Sequence, residues 1–197
     1  MAQQLGFFQD GKRLIAATPA GKIVYFPAAF GPSESAALFE VLSREIPWST
    51  ETMHMYDRIV DVPRLVAWYG AQQELPPALV LVKERAEGAL AVRFNAVSLN
   101  YYRDGNDSVA WHSDRNEQLT EDPIVALASF GATRSMLFRT KAPPRRQLRC
   151  DLEPGSLLAM CGDVQDHWEH HIPKVPRPTD ARISVALRTK AERSPER

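Results

Sequence analysis

Residues 182–188 read Arg182-Ile183-Ser184-Val185-Ala186-Leu187-Arg188. Side chains along a strand alternate between its faces. Ile183, Val185 and Leu187 therefore share one face, and Arg182, Ser184, Ala186 and Arg188 share the other. The apolar face belongs against a core. The second face carries two guanidinium groups, and an arginine facing a barrel interior needs an anion. Ser184 and Ala186 leave room between them, so a dicarboxylic acid bound inside a barrel satisfies both the charge and the space.

From this strand back to residue 94 the chain reads as a succession of short strands. They are predicted at 94–102, 124–129, 135–139, 147–152, 156–160, 167–172 and 182–189. Turn sequences separate them: Asp104-Gly105, Pro143-Pro144, Pro154-Gly155 and Cys161-Gly162-Asp163. Upstream the periodicity changes. Gly31-Pro32-Ser33 predicts a helix start with Ser33 as N-cap, followed by an apolar stripe of Leu38, Val41, Leu42 and Ile46 that Pro47 ends. A second helix is predicted after Pro76-Pro77, through Leu79, Val80 and Val82, with Gly88 as C-cap. Residues 1–30 read as short strands or an arm, and residues 49–72 as an irregular lid or hairpin. Short strands behind two helices predict a mainly β (α+β) protein, with a double-stranded β-helix, or jelly-roll, core and N-terminal helices packed on one face. Residues 1–197 are expected to form one domain. Within it, 1–92 are an extension carrying the helices and a substrate lid, and 93–190 are the catalytic core.

Composition narrows the class. A chain of 197 residues with 44% apolar and 24% charged residues is long enough for one buried core. It has no long apolar run and no signal-peptide pattern at its start, so no membrane partner is expected. Two cysteines, Cys150 and Cys161, fit a reducing compartment without a disulfide framework. A cytoplasmic monomer is the expectation. The 24 basic and 24 acidic residues cancel, which excludes a generally basic nucleic-acid coat. Arg134, Arg139, Lys141, Arg145, Arg146 and Arg149 nevertheless form a basic stretch that no carboxylate interrupts, and a local positive stripe can engage phosphates.

The remaining chemistry lies at Trp111-His112-Ser113-Asp114. A His-x-Asp pair on extended backbone places an imidazole and a carboxylate on one side. A distant histidine would complete the two-His-one-carboxylate set that leaves half the coordination sphere of Fe(II) open. His167, His170 and His171 all compete for that place, and spacing alone does not choose among them.

Taken together, several segments resemble the AlkB family of Fe(II)- and 2-oxoglutarate-dependent dioxygenases. They are Pro63-Arg64-Leu65-Val66-Ala67-Trp68-Tyr69-Gly70, Asn100-Tyr101-Tyr102-Arg103-Asp104-Gly105, residues 107–114, Ser129-Phe130-Gly131-Ala132-Thr133-Arg134, residues 155–160, His167-Trp168-Glu169-His170-His171-Ile172-Pro173 and residues 182–189. In that family the metal histidine precedes, by one residue, an aliphatic-Pro pair. The resemblance therefore implies His170, ahead of Ile172-Pro173, as the partner of His112 and Asp114. It assigns the 2-oxoglutarate contacts to Asn100, Tyr102, Arg182 and Arg188, with Ser184 adding a hydroxyl on the same face. Fe(II), 2-oxoglutarate and O2 are the implied cofactors, and Arg188 is counted with the catalytic groups.

AlkB-type enzymes hydroxylate an N-alkyl group, and the carbinol decays to formaldehyde and the repaired amine. The resemblance thus implies oxidative demethylation of alkylated single-stranded DNA or RNA. Tyr56, Trp68 and Tyr69 fall where the family's nucleotide lid lies. Arg115 and Asn116 stand where some members carry an acidic residue in the substrate pocket, and Arg139 adds a basic group. That replacement, and a lid passing quickly into Leu75-Pro76-Pro77, set the base identity apart from the iron chemistry. The same chemistry on a protein or small molecule is the alternative. A non-catalytic binding module conflicts with an intact triad beside paired arginines.

Overall fold

The computed structural model describes residues 11–55, 58–70, 72–114, 120 and 123–189. Its elements in chain order are β1 (Arg13–Ala17), β2 (Lys22–Phe26), α1 (Pro32–Glu45), β3 (Ser49–Met55), β4 (Arg58–Tyr69), α2 (Pro77–Leu90), β5 (Ala96–Tyr102) and β6 (Val109–His112). Then follow β7 (Ile124–Gly131), β8 (Arg134–Thr140), β9 (Gln147–Leu152), β10 (Leu157–Cys161), the single turn α3 (Val164–His167), β11 (Trp168–Ile172) and β12 (Arg182–Arg188). Among the described residues an eight-stranded sheet runs β1-β2-β10-β7-β12-β5-β4-β3, and a four-stranded sheet runs β6-β11-β8-β9. Neighbouring strands within each sheet are antiparallel. The protein is mainly β with a jelly-roll core.

The period of two along β12 organises both cores. Ile183, Val185 and Leu187 are fully buried against Leu38 and Leu42 of α1 and Leu79 and Val82 of α2. The helices thus cover the outer face of the large sheet. Ala186 joins Tyr102, Leu127, Met136, Phe138 and Trp168 between the two sheets. Each fully buried Leu, Ile or Val contributes about 1.5–3 kcal/mol relative to exposure, so β12 anchors two cores at once.

Several boundaries differ from the sequence reading. The N-cap of α1 is Gly31, whose N–H donates to Glu34 Oε2 at 3.4 Å, and Pro32 takes the first helical position, so Ser33 lies inside the helix. Gly88 does not end α2. The helix runs to Leu90, and Ala91 takes the left-handed conformation at φ 54°. Buried Glu87 draws the chain back there, accepting from the Phe94 N–H at 2.8 Å and pairing with Lys83 and Arg93. Within residues 49–72, read as an irregular lid or hairpin, β3 and β4 form a hairpin, in agreement with that reading. Its register slips between Thr50↔Leu65 and Thr52↔Asp61, at Pro63, which has no N–H to give the ladder. Strand β6 is a further element that periodicity did not mark. His167 closes α3, so β11 begins one residue later than expected.

At one crossing a glycine is required. A Cβ on Gly162 (φ 63°) would lie 2.1 Å from the Ala20 carbonyl. The β1–β2 hairpin therefore packs directly on the turn that leads into α3. Asp163 ties the two together, accepting from Thr18 Oγ1 and the Ala20 N–H. Cys150 and Cys161 are not joined by a disulfide.

Candidate active site

Pairing of β6 with β11 sets His112 directly opposite His170. Their ring centroids are 4.3 Å apart with planes at 59°. His112 Nδ1 lies 2.8 Å from the Ala110 carbonyl. That bond needs the proton on Nδ1 and leaves the Nε2 lone pair for a ligand. His170 is 5% exposed. Burial, reinforced by His112, outweighs the attraction of Asp114 and pushes His170 down to about 3, so it is a neutral base at ordinary pH.

Asp114 follows, held by its backbone. Its N–H donates to Gln165 Oε1 at 2.9 Å, and the neighbouring Ser113 hydroxyl donates to the Trp168 carbonyl at 2.9 Å. Asp114 Oδ1 accepts from Arg188 Nε at 2.9 Å and from Nη2. Burial alone would raise this carboxyl. The positive charge of Arg188, joined by the His170 imidazole, more than offsets it and holds the group below the usual carboxylate range. Asp114 Oδ2 is buried with no hydrogen bond, 3.9 Å from His170 Nε2.

One anionic oxygen lacking a partner and two imidazole nitrogens make a donor set suited to a divalent transition metal. Cis ligands on an ion at about 2.1 Å are about 3 Å apart. Among the described residues no three such donors already converge to that spacing, Asp114 Oδ2 and His170 Nε2 standing 3.9 Å apart. Of the competing histidines, His167 turns outward to Asp163 and His171 stacks on Trp111, centroids 4.0 Å apart. Only His170 faces His112 and Asp114.

The same cavity, about 570 Å³, is lined by Asn100, Tyr102, Arg182 and Ser184 and by Arg188. Arg182 is fully buried. Its Nη2 donates to Ser129 Oγ at 2.9 Å, and its guanidinium carbon sits 5.2 Å from the Tyr102 ring centroid. Its Nε and Nη1 have no partner. A buried charge without a counter-ion costs several kcal/mol, so this end of the cavity is built for an anion. Ser184 lies between Ser129 and Asn100 in register. At the other end of β12, Arg188 Nη1 donates to Ser98 Oγ at 2.6 Å.

The expected substrate groups separate. Trp68 is 68% exposed and lines the cavity, directly across from Ser98. Tyr69 does not line it. As the next residue in β4 it faces the other way and packs on the helix-side core. Arg139 also lies outside, on the far face of the small sheet, bonded to Glu169 Oε2 at 2.7 Å and stacked over Trp111 at 4.3 Å. Tyr56, Arg115 and Asn116 lie outside the described residues. The basic stretch is partly structural. Arg134, 2% exposed, donates to the carbonyls of Asp104, Asp107 and Pro173, Arg149 pairs with Asp151, and Lys141 Nζ donates to the Gln165 carbonyl. Arg145 and Arg146 remain exposed.

Sequence reading missed several supporting groups. Arg64 Nε donates to Asn100 Oδ1 at 2.6 Å, which leaves the Asn100 NH2 as the donor open to the cavity. Ser98, Ser129 and Gln165 hold Arg188, Arg182 and Asp114 respectively. None carries a local signal, because each partner lies on a distant strand or turn.

The 2OG-Fe(II) oxygenase superfamily profile matches residues 22–189. The chain is 34% identical over a 206-residue alignment to alpha-ketoglutarate-dependent dioxygenase alkB homolog 3 of Bos taurus, covering 92% of this chain and 71% of that one. Against the DNA oxidative demethylase ALKBH2 of Homo sapiens it is 28% identical, covering 83% of this chain and 71% of that one. A 2OG-Fe(II) oxygenase family oxidoreductase from Burkholderia pseudomallei shares the fold, with a TM-score of 0.57 at 15% identity over 85% of this chain and 84% of that chain.

Proposed function

This chain belongs to the AlkB family within the 2OG-Fe(II) oxygenase superfamily, and we propose that it oxidatively removes N-alkyl groups from nucleic-acid bases, single strands first. It is a dioxygenase that uses Fe(II), 2-oxoglutarate and O2. In this reading residues 1–92 and 93–190 act as one catalytic unit, with the hairpin as its lid.

His112 and His170, through their Nε2 atoms, and Asp114 Oδ2 would hold the iron. Bound together, Fe(II), 2-oxoglutarate and O2 supply a two-electron oxidation of an alkyl C–H bond while the keto acid is decarboxylated to succinate. Everything else is positioning by the protein. The unpartnered Nε and Nη1 of Arg182 would fork onto the distal carboxylate, with Tyr102 and Ser184 alongside. The Asn100 NH2, oriented by Arg64, would donate to the same molecule. Arg188 steadies the Asp114 carboxylate and so fixes which oxygen turns to the metal. Val125, Leu127, Met136 and Met160 line the cavity with apolar surface that excludes water from the reacting carbon. Hydroxylation turns N–CH3 into N–CH2OH. That group then loses formaldehyde, its hydroxyl proton ending on the ring or exocyclic nitrogen.

The observation that carries the nucleic-acid reading is Trp68, an indole standing largely in solvent at the mouth of this cavity. A base can stack there only when unpaired or turned out of its helix. Arg145 and Arg146 offer phosphate contacts. The relatives named as DNA oxidative demethylases support the substrate class. The test is release of formaldehyde and succinate on single-stranded oligonucleotides bearing 1-methyladenine or 3-methylcytosine, beside the same bases in duplex and unmodified strands. Formaldehyde should appear fastest from methylated single strands. Succinate formation without any formaldehyde from these oligonucleotides would favour a protein or small-molecule substrate.

A further inference from the structure

We infer that Glu51 reads the positive charge of the alkylated base, making it a specificity-determining residue in the cavity that Trp68 also lines. The inference rests on the nucleic-acid reading above and narrows its substrate class to cationic rings.

Carboxylates are scarce in this cavity. Among the described residues that line it they are Asp114 and Glu51, beside the arginines Arg64, Arg182 and Arg188. Asp114 is engaged by Arg188. Glu51 is exposed and makes no hydrogen bond or ion pair among the described residues. Its face follows from strand parity, two residues on from Ser49, which pairs with the cavity-lining Val66. Thr50 pairs with Leu65 and Thr52 with Asp61, so Glu51 alone faces the stretch Val62-Pro63-Arg64. The extra residues of this slip lie on β4, opposite Glu51. Here the displaced strand turns its carbonyl elsewhere, Pro63 O accepting from the Ser108 N–H at 2.8 Å. The Arg64 guanidinium is likewise directed inward, to Asn100 Oδ1 and the Ser108 carbonyl at 3.4 Å. Among the described residues the carboxylate of Glu51 has no neutralising partner.

Trp68 lines the same cavity. Val66 and Trp68 pair with Asn100 and Ser98, whose side chains line the cavity, so Trp68 stands one strand from the Ser98–Arg188–Asp114 chain. A ring nitrogen that has used its lone pair to take an alkyl group leaves the ring positively charged near neutral pH. An indole face attracts such a cation through its quadrupole, and a nearby carboxylate adds a direct attraction. A neutral alkylated ring gains only the stacking. A carboxylate also repels the phosphates of any strand, so Glu51 opposes general nucleic-acid affinity while favouring cationic lesions.

That opposition gives the test a sign. Binding of single-stranded oligonucleotides would be measured for the full chain with Mn(II) and 2-oxoglutarate at one salt concentration. One strand carries a single 1-methyladenine (cationic), one a single 3-methylthymine (neutral), and one is unmodified. Glu51→Gln should weaken the 1-methyladenine strand roughly tenfold, about 1.4 kcal/mol, while the other two bind as before or tighter. Trp68→Ala should weaken both alkylated strands, and Trp68→Phe should restore part of that loss. Both positions are exposed, and unchanged thermal midpoints would exclude misfolding. If Glu51→Gln leaves the preference of the native protein for 1-methyladenine intact, or weakens all strands alike, Glu51 is not the reader and the nucleic-acid reading survives. If the native protein binds alkylated strands no better than unmodified ones, that reading falls and takes the Glu51 assignment with it.

Discussion

The side-chain carbonyl of Gln165 accepts the backbone N–H of Asp114 at 2.9 Å. Gln165 is 2% exposed, and its NH2 group is spent on Met160 Sδ at 3.4 Å. The turn that carries it is braced by Asp163 on one side and by Lys141 on the other. A backbone amide on one strand end is thus held by a side chain fixed from a different part of the fold.

Gln165→Ala should therefore loosen Asp114 without removing any ligand atom. Metal affinity, measured by titration with Mn(II) or Zn(II), should fall about 10- to 100-fold, the range typical of residues that orient a ligand. The orphaned Asp114 N–H should also cost about 1–3 kcal/mol of stability. Native metal affinity in a folded Gln165→Ala protein would show that Asp114 is positioned by Arg188 alone.

The histidines separate by orientation. His170→Ala should abolish metal binding and 2-oxoglutarate turnover. His171→Ala removes a ring stacked on Trp111 at the cavity wall and His167→Ala an outward bond to Asp163, neither of them facing Asp114, so both should bind metal normally. Loss of metal in His171→Ala with retention in His170→Ala would reverse the assignment.

Arg182 makes an unusual stability prediction. Its charge is buried with two nitrogens lacking partners, so Arg182→Met should leave the stability of the ligand-free protein unchanged or raise it. The same change removes charge-assisted bonds worth about 1.5–3 kcal/mol each. The rise in thermal midpoint that 2-oxoglutarate gives the native protein should then disappear. A variant still stabilised by 2-oxoglutarate would place the anion elsewhere.

Acid should expose the clamp at residues 103–107. Asp107 is buried and accepts from the Arg103 N–H at 2.9 Å and from Arg103 Nε and Nη2. Burial raises its carboxyl, but the Arg103 bonds and charge, with Arg134 adding to them, bring it below the model-peptide value of 3.8. A folded-state pKa below the unfolded one contributes stability that is fully present above the unfolded pKa. It is lost as pH falls through the folded one. Asp107→Asn should cost about 1.5–3 kcal/mol near neutrality, and denaturation curves of the two proteins should draw together below pH about 3.8. A difference that persists unchanged in acid would assign the stabilisation to packing.

Much of this protein is legible in its linear text because the relevant physics is local. The period of two in residues 182–188 sorts Ile183, Val185 and Leu187 from Arg182, Ser184 and Arg188, and a strand obeys that sorting wherever it lies. Most other strands follow from the same alternation, and both helices from their apolar stripes and flanking prolines. The His-x-Asp spacing marks His112 and Asp114 as neighbours on one side. What spacing could not decide was which of His167, His170 and His171 meets them, since that depends on the β6–β11 register, a pairing across more than fifty residues of chain. The same holds for Tyr69 and Arg139, each turned from the cavity by the parity of its own strand. Gln165 and Glu51 are beyond local reading altogether. One acts through a turn packed under a distant hairpin, the other lies opposite a slip in its partner strand, and only tertiary contacts bring such groups to the site.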